Sequence, residues 1–426
     1  MSFNIPKTEK KRVVIVGGGF GGLKLANKLK NSGFQVVLVD KNNYHQFLPL
    51  IYQVASAGLE PSSISFPFRK IFQKWEDFYF RMAEVNAIVA EENMIEASIG
   101  DLYYDYLIIA AGTVTNYFGN KNIENAALPM KTVTEALLMR NVLLSNFEKA
   151  LTSDCPEEKQ ALLNIVIVGG GATGVEISGV LSEMKRFILP KDYPDLDRKQ
   201  MNIYLVEASS KLLGVMSANA STSAEKFLKD MGVNVLLNKK VENYENDKVI
   251  FDDGSVLLTK TLIWVSGVTA TTFDKLDPAL LTRGRRIQVN EYNKLEGSDN
   301  IFAIGDICLQ TEENYPNGHP QVAQVAIQQG ELLADNILKI EKGQTPVAFH
   351  YRDLGSLATV GRNRAVADIK KIRTQGWIAW MIWLIIHLRS ILGVRNKLVV
   401  LINWVWNYIT YDQSLRLILF TQKKKR

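Results

Sequence analysis

Short, unbroken apolar runs recur along this chain, rich in β-branched residues and each stopped by glycine, a small residue or an acid. They read "RVVIV" (12–16), "QVVLVD" (35–40), "YLIIAAG" (106–112), "NIVIV" (164–168), "NIYLVE" (202–207), "TLIWVSG" (261–267) and "NIFAIGD" (300–306). Runs of this length without polar alternation predict strands buried on both faces, as in a parallel sheet covered by helices. Near the C-terminus the pattern changes. "WIAWMIWLIIHLRS" (377–390) holds three tryptophans and no charge before Arg389, and "LVVLINWVWNYIT" (398–410) follows after "RNK". Coiled into a helix, the run from Trp377 to Leu388 spans about 18 Å, well short of the roughly 30 Å of a bilayer's hydrocarbon core. Neither segment is expected to cross a membrane.

Two of the strand runs open one repeated design. "RVVIVGGGFGGLKLANKLKNSGFQVVLVD" (12–40) places Gly17, Gly19 and Gly22 between a strand and a helix, and ends its next strand on Asp40. "NIVIVGGGATGVEISGVLSEM" (164–184), completed by "NIYLVEAS" (202–209), places Gly169, Gly171 and Gly174 likewise and ends on Glu207. The first glycine allows a tight turn, the second lets backbone amides approach a pyrophosphate, and the third lets the helix pack closely on the strand. The helix N-terminus then adds positive potential, and the acid accepts hydrogen bonds from ribose hydroxyls. Two such cradles imply two dinucleotides, with electrons passing between them. Glu207 would repel a 2′-phosphate, which favours NAD over NADP at the second cradle.

The motifs are nested. The order is glycine strand, "AAG", second glycine strand, "VSG", then Gly305 and Asp306 placed before an expected helix. It resembles the flavoprotein superfamily with two dinucleotide-binding domains, over roughly residues 12–365. The fold class expected is α/β, with two Rossmann-like domains and a C-terminal pair of amphipathic membrane-anchoring helices. The resemblance divides the chain into an FAD-binding part at 1–125, an inserted NADH-binding domain at 126–267, a second FAD-binding part at 268–366 and an anchoring region at 367–426.

Composition narrows the chemistry. With 47% hydrophobic and 22% charged residues the chain is a folded globular protein, long enough for two or three domains. Its net charge of +6 is uneven: from Lys370 to Arg426 eleven Lys or Arg face the single acid Asp412, a net +10, so the remainder carries −4. Five of the seven tryptophans share that basic tail. Bases interleaved with Trp and aliphatic residues suit an anionic lipid surface rather than nucleic acid. Cys155 and Cys308, far apart, make a disulfide framework implausible and point to a reducing compartment. His45, His319, His350 and His387 show no metal-ligand spacing. A glycine-rich strand motif beginning at Val13 leaves no room for a signal peptide, so catalysis is expected at the cytoplasmic face of the membrane.

Where the superfamily's disulfide reductases carry redox cysteines, this chain reads "NNYHQFLPLIYQVASAG" (42–58). That stretch, the tail and "HPQVAQVAIQQG" (319–330) are similar to the type II, single-subunit, non-proton-pumping NADH:quinone oxidoreductases. The family motif A-Q-x-A-x-Q-Q stands here as Ala323, Gln324, Ala326, Gln328 and Gln329. By spacing, Gln321, Gln324 and Gln328 would share one face of a helix starting after Pro320. The resemblance implies FAD held by Gly17, Gly19, Phe20, Gly21, Gly22, Asp40, Lys41, Val85, Ala111, Gly112, Asp306, Ala323 and Gln324. It implies NADH held by Gly169, Gly171, Ala172, Thr173, Gly174, Glu207 and Gly267. Glu176, Gln324 and Gln328 are the residues expected to serve catalysis. Glu176 would sit beside nicotinamide and flavin and help protonate the quinone, although a carboxylate in a first helical turn also gains from the dipole alone. A homodimer is compatible with the resemblance. Other readings are a soluble NADH-dependent ferredoxin or rubredoxin reductase, and a flavin redox sensor.

Overall fold

The computed structural model describes residues 2–411 and 415–419. It contains two compact units, each assembled from separated stretches. The first takes its described residues from Met1–Gln46, Ser65–Val114 and Val268–Asp353, and the second from Phe47–Ile64, Thr115–Gly267 and Leu354–Arg426.

The first unit is built on a five-stranded parallel sheet in the order Ile301–Ala303, Tyr106–Ile109, Arg12–Val16, Gln35–Asp40, Phe78–Met82. Val13, Val14, Ile15, Leu107 and Ile108 are all fully buried, as an unalternated apolar run requires. The second unit repeats the order with Leu128–Pro129, Thr261–Trp264, Asn164–Val168, Asn202–Glu207 and Asn234–Leu237, again parallel. In both sheets the glycine-bearing strand is the pivot. The chain lays its next two sheet strands on one side of it and a later strand, Tyr106–Ile109 in the first sheet and Thr261–Trp264 in the second, on the other. Such a reversal opens a crevice beyond the carboxyl ends of the strands, where α/β sheets bind ligands.

The second unit also holds the antiparallel sheet Ser356–Gly361, Arg364–Ile369, Ile372–Gln375. One of its strands packs on the helix Ala172–Glu183, and another on the helix Trp377–Ser390. The approach to Ala172–Glu183 is close because Gly179 has no side chain: a Cβ there would stand 1.8 Å from the Val360 carbonyl oxygen. The terminal helix, Val394–Thr410, is tied to the segment 47–64 by three side chains. Asn396 Nδ2 donates to Ser62 O at 2.9 Å, Trp404 Nε1 to Gln53 Oε1 at 2.8 Å, and Asn407 Nδ2 to Gly58 O at 3.4 Å.

These contacts partition the chain otherwise than the four sequence-based stretches do. Residues 47–64 and 115–125, expected with the FAD-binding part, fall in the second unit, because the helix Ile51–Ala55 packs on Val133–Thr152 and Ala172–Glu183. The anchoring region, expected from 367, shares its unit with the whole sheet 356–375, since the chain leaves the first unit at Asp353. Nor does a helix follow Gly305. Gly305–Ile307 is a single tight turn leading into an extended segment, and the next long helix begins at Ala323.

The tail helices are 14 and 17 residues long, about 21 and 26 Å. No described helix is long and apolar enough to cross a membrane. Both leave large apolar side chains in the open, among them Ile378 (59% exposed), Val394 (75%), Ile402 (65%) and Trp406 (57%). Trp383, expected at headgroup level with the other tail tryptophans, is instead buried at 1% exposure.

Gly179→Ala should therefore lower stability by about 1–3 kcal/mol, because the obstructing atom is backbone and no rotamer change relieves it. Urea midpoints of the two proteins at equal m-value check this.

Candidate active site

The two cradles agree down to individual hydrogen bonds. Gly17 N donates to Val39 O at 2.8 Å and Gly169 N to Val206 O at 2.8 Å. Both glycines have positive φ, +102° and +115°, and a Cβ on either would collide with the neighbouring strand's backbone, at 2.4 Å from Ala110 O and 2.8 Å from Val265 O. A Cβ on the third glycine would meet the carbonyl oxygen of the first, 2.0 Å for Gly22 on Gly17 and 1.8 Å for Gly174 on Gly169. The close packing that the third glycine allows is thus with the turn itself.

The acids close each loop. Asp40 accepts from Gly18 N and Asn42 N, both at 2.7 Å. Glu207 accepts from Gly170 N and Ser209 N, also at 2.7 Å. Burial raises the pKa of Asp40 against the pull of those amides and of the neighbouring, exposed Lys41. Gly19 and Gly171 are the N-caps of their helices, neither with a side-chain cap, and a Cβ on either would project into open space. Each cradle thus presents a helix N-terminus over an open surface with a carboxylate at its edge. That is the donor set a dinucleotide's pyrophosphate and ribose require. FAD and NADH fit these residues.

Around the first cradle lie Phe20, Ala111, Gly112 and Val85. Phe20 opens the helix Phe20–Lys28, and its ring stands edge-on to His45 at 5.2 Å. Gly112 has φ +67° and its carbonyl accepts from Thr271 N at 3.2 Å, while the Ala111 carbonyl accepts from the Thr271 hydroxyl at 3.5 Å. Val85 begins the strand Val85–Val89, just past Ala83, whose amide bonds Asp40 O at 3.0 Å. Sequence reasoning missed His45. It is buried, its Nδ1 lies 2.9 Å from Gly18 O, and burial lowers its pKa, so it is a neutral buttress under the glycine turn. In the second cradle Ala172 and Thr173 form the first helical turn, and Gly267, at φ +87°, packs against the Phe118 ring.

The helix Ala323–Glu341 corrects the glutamine reading. Its N-cap is Val322, so Gln321 lies outside it and donates instead to Asp306 O at 2.9 Å. Gln328 has both ends of its amide on the backbone of Arg352, at 3.0 and 3.1 Å. That geometry clamps the 352 segment to the helix. Gln324, on the first turn with Ala323, is half-exposed, and its side chain makes no hydrogen bond among the described residues. Gln329, fully buried, accepts from Gly305 N at 2.7 Å and donates to Gln310 Oε1 at 2.9 Å, which fixes the turn that presents Asp306. Gly21 serves the crossing of two helices: Gly330 Cα approaches it so closely that a Cβ there would lie 2.4 Å from Gly21 O. Cys308, beside that turn, is buried and its pKa is pushed up to about 12, so it stays a neutral thiol.

Within the second unit, Glu176 projects from the cradle helix into a cavity of about 560 Å³. Tyr52, Gln53, Glu183 and Arg362 share its wall with the aromatic and aliphatic side chains of both tail helices, including exposed Trp377, Ile385 and Ile409. Glu176 is part of the cavity wall. Protein atoms surround the carboxylate, and desolvation raises its pKa to about 8. Opposing that are the Thr359 amide, at 3.5 Å, and the indole of Trp383. The Trp383 N–H is buried without a well-directed acceptor, and Glu176 is the acid it faces. The ring of Trp383 stacks on His387 at 4.0 Å. The sequence offered no sign of this assembly, because its parts come from residues 52, 176, 359 and 383.

A carboxyl group with a raised folded pKa binds its proton more tightly folded than unfolded. Stability therefore falls as pH rises from about 4.5 towards about 8. Glu176→Gln should flatten that slope, and urea midpoints of both proteins at pH 5 and pH 8 measure it.

Residues 11–330 match the family model described as pyridine nucleotide-disulphide oxidoreductase, and residues 354–410 match the NDH2 C-terminal domain. The chain is 33% identical over 416 residues to the type II NADH:quinone oxidoreductase Ndh of Mycobacterium tuberculosis, covering 94% of this chain and 89% of that protein. It is 32% identical over 412 residues to the type II NADH:quinone oxidoreductase NdhA of the same organism, covering 93% and 86%. In fold alone it matches NDH2 from Plasmodium falciparum in complex with NADH, at a TM-score of 0.88 and 20% identity over 97% of this chain and 100% of that one. Two cradles, a 42–58 stretch without cysteine and these matches along nearly the whole length have one reading: the chain belongs to the type II NADH:quinone oxidoreductase family.

Proposed function

We propose that this chain oxidises NADH at its second cradle and reduces a membrane quinone, with FAD in its first cradle and without pumping protons. Bound there, FAD supplies a carrier that takes hydride from NADH and gives electrons to the quinone. The residues of the chain bind, orient and protonate. Glycine turns and helix N-termini hold the phosphates, and Glu207 offers its remaining lone pairs to ribose hydroxyls where a 2′-phosphate would be repelled. The observation that carries the reading is the cavity. An apolar chamber walled by two helices with exposed greasy faces suits an isoprenoid quinone, and an acid with a pKa of about 8 is largely protonated at neutral pH, poised to donate to a quinone oxygen.

The same helices support peripheral binding to one leaflet. Exposed Ile378, Val394, Ile402 and Trp406 lie among exposed Lys370, Lys371, Arg373, Arg389 and Arg395, the mixture an anionic lipid surface attracts. Both cysteines are unpaired, in keeping with the cytoplasmic face. A soluble reductase of iron–sulfur proteins has no use for this surface.

Purified enzyme should consume NADH only when a short-chain quinone is supplied without air, and NADH consumption indifferent to quinone would refute the function. Glu176→Gln should keep FAD yet lose about tenfold or more of its turnover, measured by steady-state kinetics at saturating NADH. Ile378→Glu with Ile402→Glu, both outside the cavity wall, should release the protein from vesicles containing phosphatidylglycerol and leave turnover of a water-soluble quinone within about twofold of wild type. Deleting the tail is a poorer test, because it also removes Trp383.

A further inference from the structure

A large side chain at positive φ strains the backbone, and the strain persists only where the surrounding structure imposes it, as it does at ligand clamps. Among the described residues two large side chains without a polar group are held so, Leu213 at φ +50° and Phe118 at φ +52°. Both adjoin the second cradle. Leu213 donates its amide to Gly170 O at 2.8 Å and is buried, so packing offsets its strain. Phe118 is 67% exposed, and packing within the protein offsets little of its own.

Three hydrogen bonds fix the loop that carries Phe118. The Asn116 amide donates to Gly267 O at 3.3 Å, Trp264 Nε1 donates to Asn116 O at 2.9 Å, and the Phe118 amide donates to Asn116 Oδ1 at 2.8 Å. The last closes a turn of the kind asparagine side chains make with the backbone two residues on. It lays the ring on Gly267, where a Cβ would stand 2.9 Å from Phe118 Cζ, and edge-on to Trp264 at 6.4 Å. The segment just before Gly267 lies against the first glycine of the cradle, since a Cβ on Gly169 would meet Val265 O at 2.8 Å and Ser266 at 2.9 Å. The ring thus stands at the rim of the glycine turn.

Strand order tells which half of a dinucleotide it meets. The sheet runs Thr261–Trp264, Asn164–Val168, Asn202–Glu207, so the glycine turn lies between Gly267 on one side and Glu207 on the other. A pyrophosphate on the turn, with its adenosine ribose at Glu207, sends its other half towards Gly267. That half ends in nicotinamide, a flat ring for which an exposed phenyl is a favourable neighbour.

We propose that Phe118 is a positioning residue for NADH, its ring packing against the nicotinamide riboside when the dinucleotide binds. The inference rests on the function proposed above and adds an apolar hold to the phosphate and ribose contacts. Phe118 makes and breaks no bond. It restricts where the riboside can lie, and the strained loop keeps the ring in place before the nucleotide arrives.

The test titrates the full chain, with oxidised FAD bound, with NAD+ and separately with ADP, which keeps adenosine and pyrophosphate but lacks the nicotinamide riboside. Phe118→Ala should weaken NAD+ about tenfold and leave ADP within about twofold, and Phe118→Tyr, which keeps the ring face, should bind both as wild type does. In steady-state turnover with a short-chain quinone, the KM for NADH should rise in Phe118→Ala while that for quinone stays unchanged. Phe118→Gly relieves the positive φ, so its urea midpoint should equal or exceed that of wild type even as NAD+ binding weakens. A ring that merely holds its loop gives the reverse: a lowered midpoint, with NAD+ and ADP weakened alike. That result overturns the proposal, and so does an NAD+ affinity within about twofold of wild type in Phe118→Ala. A wild type that binds neither NAD+ nor NADH overturns the function and the inference together, whereas a wild type that binds NAD+ beside unaffected variants overturns the inference alone.

Discussion

The helix Ala172–Glu183 is seated by two places where backbone meets backbone. At Gly174 its first turn rests on the Gly169 carbonyl, and at Gly179 its middle rests on the Val360 carbonyl. Any side chain at either position would lift it by more than a van der Waals gap allows. With both ends of the seat fixed, the direction of every other side chain follows from helix geometry. Gly171 and Ala172 face the open cradle, and Glu176 and Glu183 face the chamber. One element thus carries the open cradle at its N-terminus and the chamber wall along its length, and the antiparallel sheet Ser356–Gln375 packs against it.

Comparison of the two cradles shows what was added to the common design. The residue two past the third glycine is Lys24 in the first copy, half-exposed and paired with Glu331 at 3.2 Å, and Glu176 in the second, enclosed by protein. The first helix ends at Lys28, whereas the second runs on to Glu183 and continues through a wider turn, Met184–Ile188. A surface lysine there is worth little to stability, and a buried carboxylate is a liability. Since stability gives no reason to bury Glu176, its place is explained by what a neutral acid does in an apolar chamber.

How much of this was legible in the sequence depended on the range of the interaction. The glycine spacings and terminal acids could be read directly, since they answer to sterics and hydrogen bonds within some forty residues, and the fold class followed from them, while the family followed from the stretches 42–58 and 319–330 and the tail. Gln321 was misread as part of the helix, and spacing could not show which partner either amide meets; Asp306 holds Gln321 and Arg352 holds Gln328 through the tertiary fold. The tail was legible as amphipathic, but not the inward turn of Trp383, which needs Tyr52 and Glu176 to define an inside. Glu183 and Tyr52 carried no motif at all. They face one chamber from two segments more than a hundred residues apart.

That chamber joins two demands that pull against each other. A quinone's ring and isoprenoid tail call for apolar walls, which the tryptophan-rich helices supply at the surface where lipid would meet them. Reducing the ring calls for protons, which apolar walls exclude. Within the chamber its two carboxyl groups share one helix face. Burial raises the pKa of both, that of Glu176 to about 8. A neutral acid is tolerated beside a hydrocarbon where a carboxylate is not, so the desolvation that makes the chamber hospitable to a quinone also favours the protonated form of Glu176.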